Sequence, residues 1–136
     1  MIEHLYDPVS VLRSAHAILR PGGVVMITTP NYQALSRLAL GADWAVLSPL
    51  EHLYYFCARS ISAALTAAGF TRLRIHRGHS RWKLFETMNP DHTHAPGSLR
   101  SRAYKAAVLA SFASFRLVQF AGRGDVLAVT ARKGAP

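Results

Sequence analysis

The sequence predicts an α/β domain whose sheet finishes with a reversed, antiparallel strand. Three observations predict it. A helix with an apolar stripe leads through a two-glycine turn into the continuous apolar run VVMITT, which is the second half of a β-α-β unit. A later run, FTRLRIH, alternates apolar and basic residues, as a half-exposed strand at a sheet edge does. The final run, DVLAVTA, has little alternation and therefore an interior character, although it follows the edge strand in the chain. A chain that runs out to the edge and returns to insert between that edge and VVMITT makes its last strand antiparallel.

Each element has a local reason. Asp7 is suited to cap a helix, and Pro8 fits the first turn, where its missing N–H would be unpaired anyway. Val11, Leu12, Ala15, Ile18 and Leu19 then recur at helical spacing, and Arg20-Pro21-Gly22-Gly23 ends the segment. VVMITT, stopped by Pro30, is expected to be covered on both faces. A short helix is expected from about Tyr32 to Leu40, with Gly41 at its end. The stretch GADWAVLSPLEHLYYF has no clean period and is expected to be a loop rich in aromatic side chains. A second clear helix spans about Ala58 to Ala68, turning Ile61, Ala64, Leu65 and Ala68 inward, and Gly69 stops it before FTRLRIH.

At 136 residues, half of them hydrophobic, the chain has the size of one ordinary domain and can bury a core. Its longest apolar stretches, VVMI and AAVLASFASF, are far shorter than a bilayer span, and no basic segment leads into an apolar one at the start. A soluble, cytoplasmic protein is expected. The single cysteine, Cys57, excludes an internal disulfide and a CxxC metal pair. Charge is unevenly distributed: residues 1–70 carry four basic and four acidic side chains, whereas residues 71–136 carry twelve basic against three acidic. An arginine-rich solvated surface accounts for this excess, and so does an anionic partner. No recognised nucleic-acid motif accompanies the charge, so nucleic-acid binding is not expected.

The segments IEHLYDPVSVLRSAHAILRPGGVVMITTPN and DWAVLSPLEHLYYFCARSISAALTAAGF carry a resemblance. Taken in order, IEHL with Asp7-Pro8, LRPGG, TTPN, EHLYYF and AAGF closely resemble the class I S-adenosylmethionine-dependent methyltransferases, in the branch of the ubiquinone-biosynthesis O-methyltransferases. The resemblance covers residues 1 to about 77 and, more loosely, the last strand. It implies a Rossmann-like sheet with a reversed last strand. It also implies S-adenosylmethionine as cofactor in the intact parent and a small-molecule hydroxyl or amine as methyl acceptor. In that family IEHL ends the fourth strand, and the glycine-rich loop and acidic residue that hold the cofactor come earlier. Within these 136 residues, Gly22-Gly23 precedes a strand and Gly122-Arg123-Gly124 lies in a basic turn, so neither offers a helix N-terminus to a cofactor. The chain is therefore expected to be the C-terminal half of a methyltransferase, inactive without a cofactor-binding half.

The resemblance assigns the site residue by residue. Glu3 and His4 match the acidic-histidine pair beside the methyl donor and are expected to line the cofactor pocket. In the ubiquinone branch such a pair is linked to magnesium, but one carboxylate and one imidazole are too few for a hard cation, so no metal site is expected. His52 matches the histidine that faces the acceptor and is the candidate general base; the alternative is a histidine hydrogen-bonded beneath the aromatic loop. Trp44, Tyr54 and Tyr55 are candidates for the acceptor wall, with burial in the core as the alternative. Cys57 is expected at a helix N-cap and His16 in a structural role. The irregular spacing of His76, His79, His92 and His94 does not support a metal site.

Residues 78–124 depart from the family's short connection and are expected to form a helical insertion or lid within a single partial domain spanning 1–136. Arg100, Arg102 and Lys105 near the start of a helical pattern would oppose its dipole, so contact with an anionic membrane surface is an alternative role. The uncovered flank of VVMITT is expected to promote self-association.

Overall fold

A computed structural model describes residues 1–44, 46–76, 106 and 121–134. A 3-10 turn at Ile2–His4 leads into helix α1 (Pro8–Ile18), strand β1 (Val24–Pro30) and the short helix α2 (Leu35–Leu40). A second 3-10 turn, Gly41–Asp43, opens the aromatic loop, and helix α3 (Ala58–Ala67) and strands β2 (Phe70–His76) and β3 (Val126–Lys133) follow. The sheet order is β1-β3-β2, and β3 runs antiparallel to both neighbours. The last strand is thus inserted between the first strand and the edge, as the strand characters predict. The expected insertion or lid at 78–124 lies almost entirely outside the described residues.

Local chemistry explains the element boundaries. The Asp7 carboxylate accepts the Ser10 amide at 2.9 Å, and Pro8 occupies the first turn of α1. At the other end, Gly22 adopts a φ of +75°, and a Cβ on Gly23 would meet the Arg20 carbonyl oxygen at 2.8 Å. Glycine at both positions lets the turn lie against β3, where the Gly22 amide donates to the Lys133 carbonyl and the Lys133 amide to the Gly23 carbonyl. The Lys133 ammonium then donates to the Ala17 and Leu19 carbonyls at the C-terminal end of α1, where a cation is favoured. Helix α2 starts at Leu35, later than the periodicity suggests. Asn31 imposes a turn first, its side-chain oxygen accepting the Gln33 amide and its carbonyl the Ala34 amide.

The core lies on one face of the sheet. Leu12 of α1 and Ile61 and Leu65 of α3 pack there against Phe70, Leu127, Val129 and Ala131, with Val25 and Ile27 at the margin. The His16 ring meets Phe70 edge-on at 4.9 Å, the structural role expected of it. Cys57 stands at the N-cap of α3, its amide donating to the Ser60 hydroxyl oxygen at 2.9 Å.

Two expectations need correction. β1 is covered on one face only: Val25, Ile27 and Thr29 turn toward the core, whereas Val24 and Met26 are exposed, Met26 by 54%. Both long described helices lie on the core face, so among the described residues no helix covers the other one. The α1 stripe is also narrower than its spacing implies. Leu12 is buried, but Val11 is half exposed and Ile18 is 87% exposed. β2 behaves as an edge strand and carries a bulge between Thr71 and Arg74, where Arg72 takes a φ of 49°.

The start of β3 depends on Asn31, which is buried. Its amide nitrogen donates to the Gly122 and Gly124 carbonyls at 3.2 and 2.8 Å, while its backbone N–H donates to the Asp125 carbonyl. Replacing Asn31 with Ala leaves two carbonyls and one amide short of a partner. The expected loss is about 1–3 kcal/mol of unfolding free energy, measured by urea denaturation. An unchanged midpoint would show that the turn is held by its backbone alone.

Candidate functional site

The candidate site forms at the C-terminal end of β1, where open α/β sheets bind their ligands. The 3-10 turn at Ile2–His4 abuts β1, and the buried Glu3 carboxylate accepts the Thr29 hydroxyl at 3.0 Å. Its other oxygen lies 3.0 Å from the Met1 ammonium and 3.7 Å from His4 Nε2. Burial by itself raises the pKa of this carboxyl. Hydrogen bonds from its own backbone amide, from the Met1 ammonium and from Thr29, together with the ammonium charge, outweigh burial and hold it below its ordinary value of 4.5. Glu3 is therefore a buried anion at neutral pH.

The backbone of the same residue anchors the aromatic loop. The Leu53 and Tyr54 amides both donate to the Glu3 carbonyl, at 2.9 and 3.1 Å, and the Tyr32 amide donates to the Phe56 carbonyl. These bonds fold the loop back over the end of β1 and bring His52 beside His4, with ring centroids 4.8 Å apart. His52 meets Tyr55 edge-on at 5.9 Å, Tyr55 lies 5.8 Å from Tyr32, and the Arg37 guanidinium stacks over Tyr32 at 4.1 Å. A continuous row runs from His4 through His52, Tyr55 and Tyr32 to Arg37.

Both histidines have fixed tautomers. His4 Nδ1 bonds the Glu51 carbonyl, and His52 Nδ1 bonds the Val46 carbonyl at 2.8 Å. A carbonyl oxygen only accepts, so each Nδ1 carries a proton, and each neutral ring keeps its lone pair on Nε2. Three groups along this loop and helix, Tyr55 Oη, Arg37 Nε and the indole N–H of Trp44, have no hydrogen-bond partner among the described residues. Burial pushes the Tyr55 hydroxyl pKa up. The Ser48 backbone amide tempers that shift without reaching hydrogen-bond geometry.

The sequence-derived residues divide accordingly. Glu3, His4, His52 and Tyr55 come together. Trp44 is 1% exposed and belongs to the packed interior, while the Tyr54 ring stacks with Phe56 and its hydroxyl donates to the Tyr6 carbonyl at 2.9 Å. Neither shares a ring contact with His52. Sequence reasoning missed Thr29, Tyr32 and Arg37; their position at or after the end of an apolar strand was the available signal, since that is where such sheets place ligand contacts. His79, His92 and His94 lie outside the described residues, and His76 Nε2 bonds the Thr130 hydroxyl at 2.8 Å.

Comparison with known proteins gives this geometry a context. Residues 1–75 match the family described as Methyltransferase domain. The ubiquinone biosynthesis O-methyltransferase of Histophilus somni (strain 2336) is 39% identical over 46 residues, a stretch covering 32% of this chain and 19% of that protein. The protein of the same name from Pseudomonas aeruginosa (strain LESB58) is 39% identical over 46 residues, 20% of its length. The match therefore spans about a fifth of these relatives. Among solved structures, phosphoethanolamine N-methyltransferase 2 of Haemonchus contortus, in complex with S-adenosyl-L-methionine, aligns with a TM-score of 0.54 and 19% identity. That alignment covers 98% of this chain and 31% of the other. The [4+2]-cyclase SpnF aligns with a TM-score of 0.53 and 18% identity, over 100% of this chain and 47% of the other. At such identities the likeness shows the fold, and a cyclase among the neighbours illustrates that this fold hosts more than one chemistry.

The depressed Glu3 pKa has a signed consequence. Its ionised form contributes stability that is fully present above 4.5 and is lost as pH falls through the lower folded value. Glu3→Gln keeps an acceptor for Thr29 but removes the charge. The stability gap between wild type and variant is expected to be constant from about pH 7 to about pH 5 and to close below that. Urea midpoints across this range check it, and a gap that persists unchanged at about pH 3 would refute it.

Proposed function

The chain belongs to the methyltransferase-domain family, and from that membership we propose that it forms the acceptor-side part of an S-adenosylmethionine-dependent methyltransferase acting on a small-molecule hydroxyl or amine. The observation that carries the reading is the state of His52. Its proton sits on Nδ1, held by the Val46 carbonyl, so Nε2 offers a lone pair beside an aromatic row at the end of β1. S-adenosylmethionine, when bound, would supply an electrophilic sulfonium methyl group for the acceptor lone pair. The acceptor proton passes to His52 Nε2. Tyr32 and Tyr55 provide flat apolar surface to align the acceptor, on which such a displacement chiefly depends. The relatives include proteins named for O-methylation and a neighbour named for N-methylation, which supports leaving the acceptor atom as oxygen or nitrogen.

Cofactor binding needs more than these residues. They contain no glycine-rich turn between a strand and a helix and no ribose-binding acid in that context; the family resemblance supports Glu3 and His4 as pocket-lining residues on the methyl donor's side. The 136-residue chain is therefore expected to give no calorimetric signal with S-adenosylmethionine up to millimolar concentration. Joined to a cofactor-binding half from a relative, it is expected to bind the cofactor and transfer the methyl group, with His52→Ala lowering kcat about a hundredfold or more. Micromolar binding by the chain as given would overturn the half-site account, and full activity in His52→Ala would remove the base.

A second reading draws on the charge. The basic excess lies in the second half of the chain, and Arg72, Arg74 and Arg132 are exposed along the β2 side of the sheet. In this reading the protein is a non-catalytic module that contacts an anionic membrane or an acidic partner. Among the described residues no helix is long and apolar enough to cross a membrane, so such contact would be peripheral. Phosphatidylglycerol liposomes are then expected to float the protein at low salt and release it as salt is raised. Equal recovery on neutral and anionic liposomes would reject it.

A further inference from the structure

We propose that Glu3, His4 and His52 form a binding site for a divalent transition-metal ion of the zinc class, and that the site discriminates against magnesium. One donor atom from each residue lies within 4.8 Å of the other two. Sequence spacing hides this set, since His52 reaches the Glu3-His4 pair only when the loop folds back. The Glu3-His4 pair alone, one carboxylate and one imidazole, is too small a set for a hard cation, and His52 adds a third ligand.

The surrounding hydrogen bonds are those that metal-binding side chains require. Histidine ligands donate their second ring N–H to a carbonyl or carboxylate, which fixes the ring and aims the remaining lone pair. His4 and His52 both do so, through the Glu51 and Val46 carbonyls. The ligand carboxylate is itself anchored, since Glu3 accepts the Thr29 hydroxyl on one oxygen and leaves the other facing His4. That second oxygen already attracts a cation, the Met1 ammonium at 3.0 Å, which is almost fully exposed and free to be displaced. Two imidazole lone pairs and an anion facing one another repel unless a proton or a metal ion lies between them. His4 is half exposed, which gives an ion a route in from solvent.

The donor set decides the metal. Magnesium demands octahedral oxygen ligation and retains its waters, so two nitrogens and one carboxylate suit it poorly. Two histidines and one glutamate suit zinc with an open fourth position, and cobalt(II) or nickel(II) as well. The ion would occupy the same His52 Nε2 lone pair that methyl transfer uses as a base, so the two roles exclude one another at any moment, and metal binding is tested on the chain without cofactor.

Cobalt(II) is a visible probe for zinc-type sites. Titrated into the full chain without S-adenosylmethionine, it is expected to produce ligand-field absorption at one equivalent, which zinc abolishes and a large excess of magnesium leaves in place. His4→Ala and His52→Ala are each expected to weaken cobalt binding at least tenfold, about the lower end of what such sites lose. His76→Ala is expected to leave it unchanged. Because His4 is half exposed, its replacement should preserve the fold, which circular dichroism and thermal melting check independently. Binding of equal strength in both variants, or no binding at all, would overturn the site. Displacement of cobalt by magnesium at comparable concentration would overturn its selectivity. A silent titration would leave the methyl-transfer reading intact, and failed reconstitution with a cofactor half would leave the cobalt result intact.

Discussion

The Glu3 carboxylate, buried at the end of β1 and bonded to Thr29, is the joint on which this end of the molecule depends. An ionised carboxylate out of water is costly unless its lone pairs are satisfied, and here Thr29, the Met1 ammonium and the residue's own amide satisfy them. The Glu3 carbonyl meanwhile holds two amides of the aromatic loop. One residue therefore ties together the opening turn, the end of the first strand and a loop some fifty positions away. The meeting of His4 and His52 follows from that tie.

Stability and chemistry occupy different parts of the fold. Leu12, Ile61, Leu65, Phe70 and the inward side chains of β3 form a dry layer on one face of the sheet, and Lys133 fastens the end of β3 to the end of α1. The candidate site's side chains lie beyond that layer, chiefly on loop and turn residues at the strand end. Such an arrangement lets loop residues be chosen for chemistry while the sheet supplies a rigid base. The exposed Val24 and Met26 on the opposite face are the part of this sheet whose apolar character the described residues do not cover.

The candidate site was legible in proportion to how local its signals are. Glu3, His4 and His52 stand out as polar groups within motif-like strings, and the structure unites them. Trp44, Tyr54 and Tyr55 look equivalent in the sequence, yet only Tyr55 joins the row beside His52. Adjacent residues in an extended loop point in different directions, and composition does not record which of them faces the site. Arg37 was invisible for another reason: its role comes from stacking on Tyr32, a contact set by the Asn31 turn and the start of α2.

By itself the sequence determined where α1 and α3 start and stop, the edge character of β2, the interior character of β3 and hence the reversed strand order β1-β3-β2. These features rest on caps, glycine turns and side-chain periodicity, interactions that act within a few residues or along one strand. Only the tertiary structure decided that β1 is covered on one face, that Ile18 points to solvent, and that Glu3, His4 and His52 converge. An apolar run states that its side chains avoid water without naming what will cover them. Two histidines 48 positions apart become neighbours only through the backbone bonds that close the loop onto Glu3.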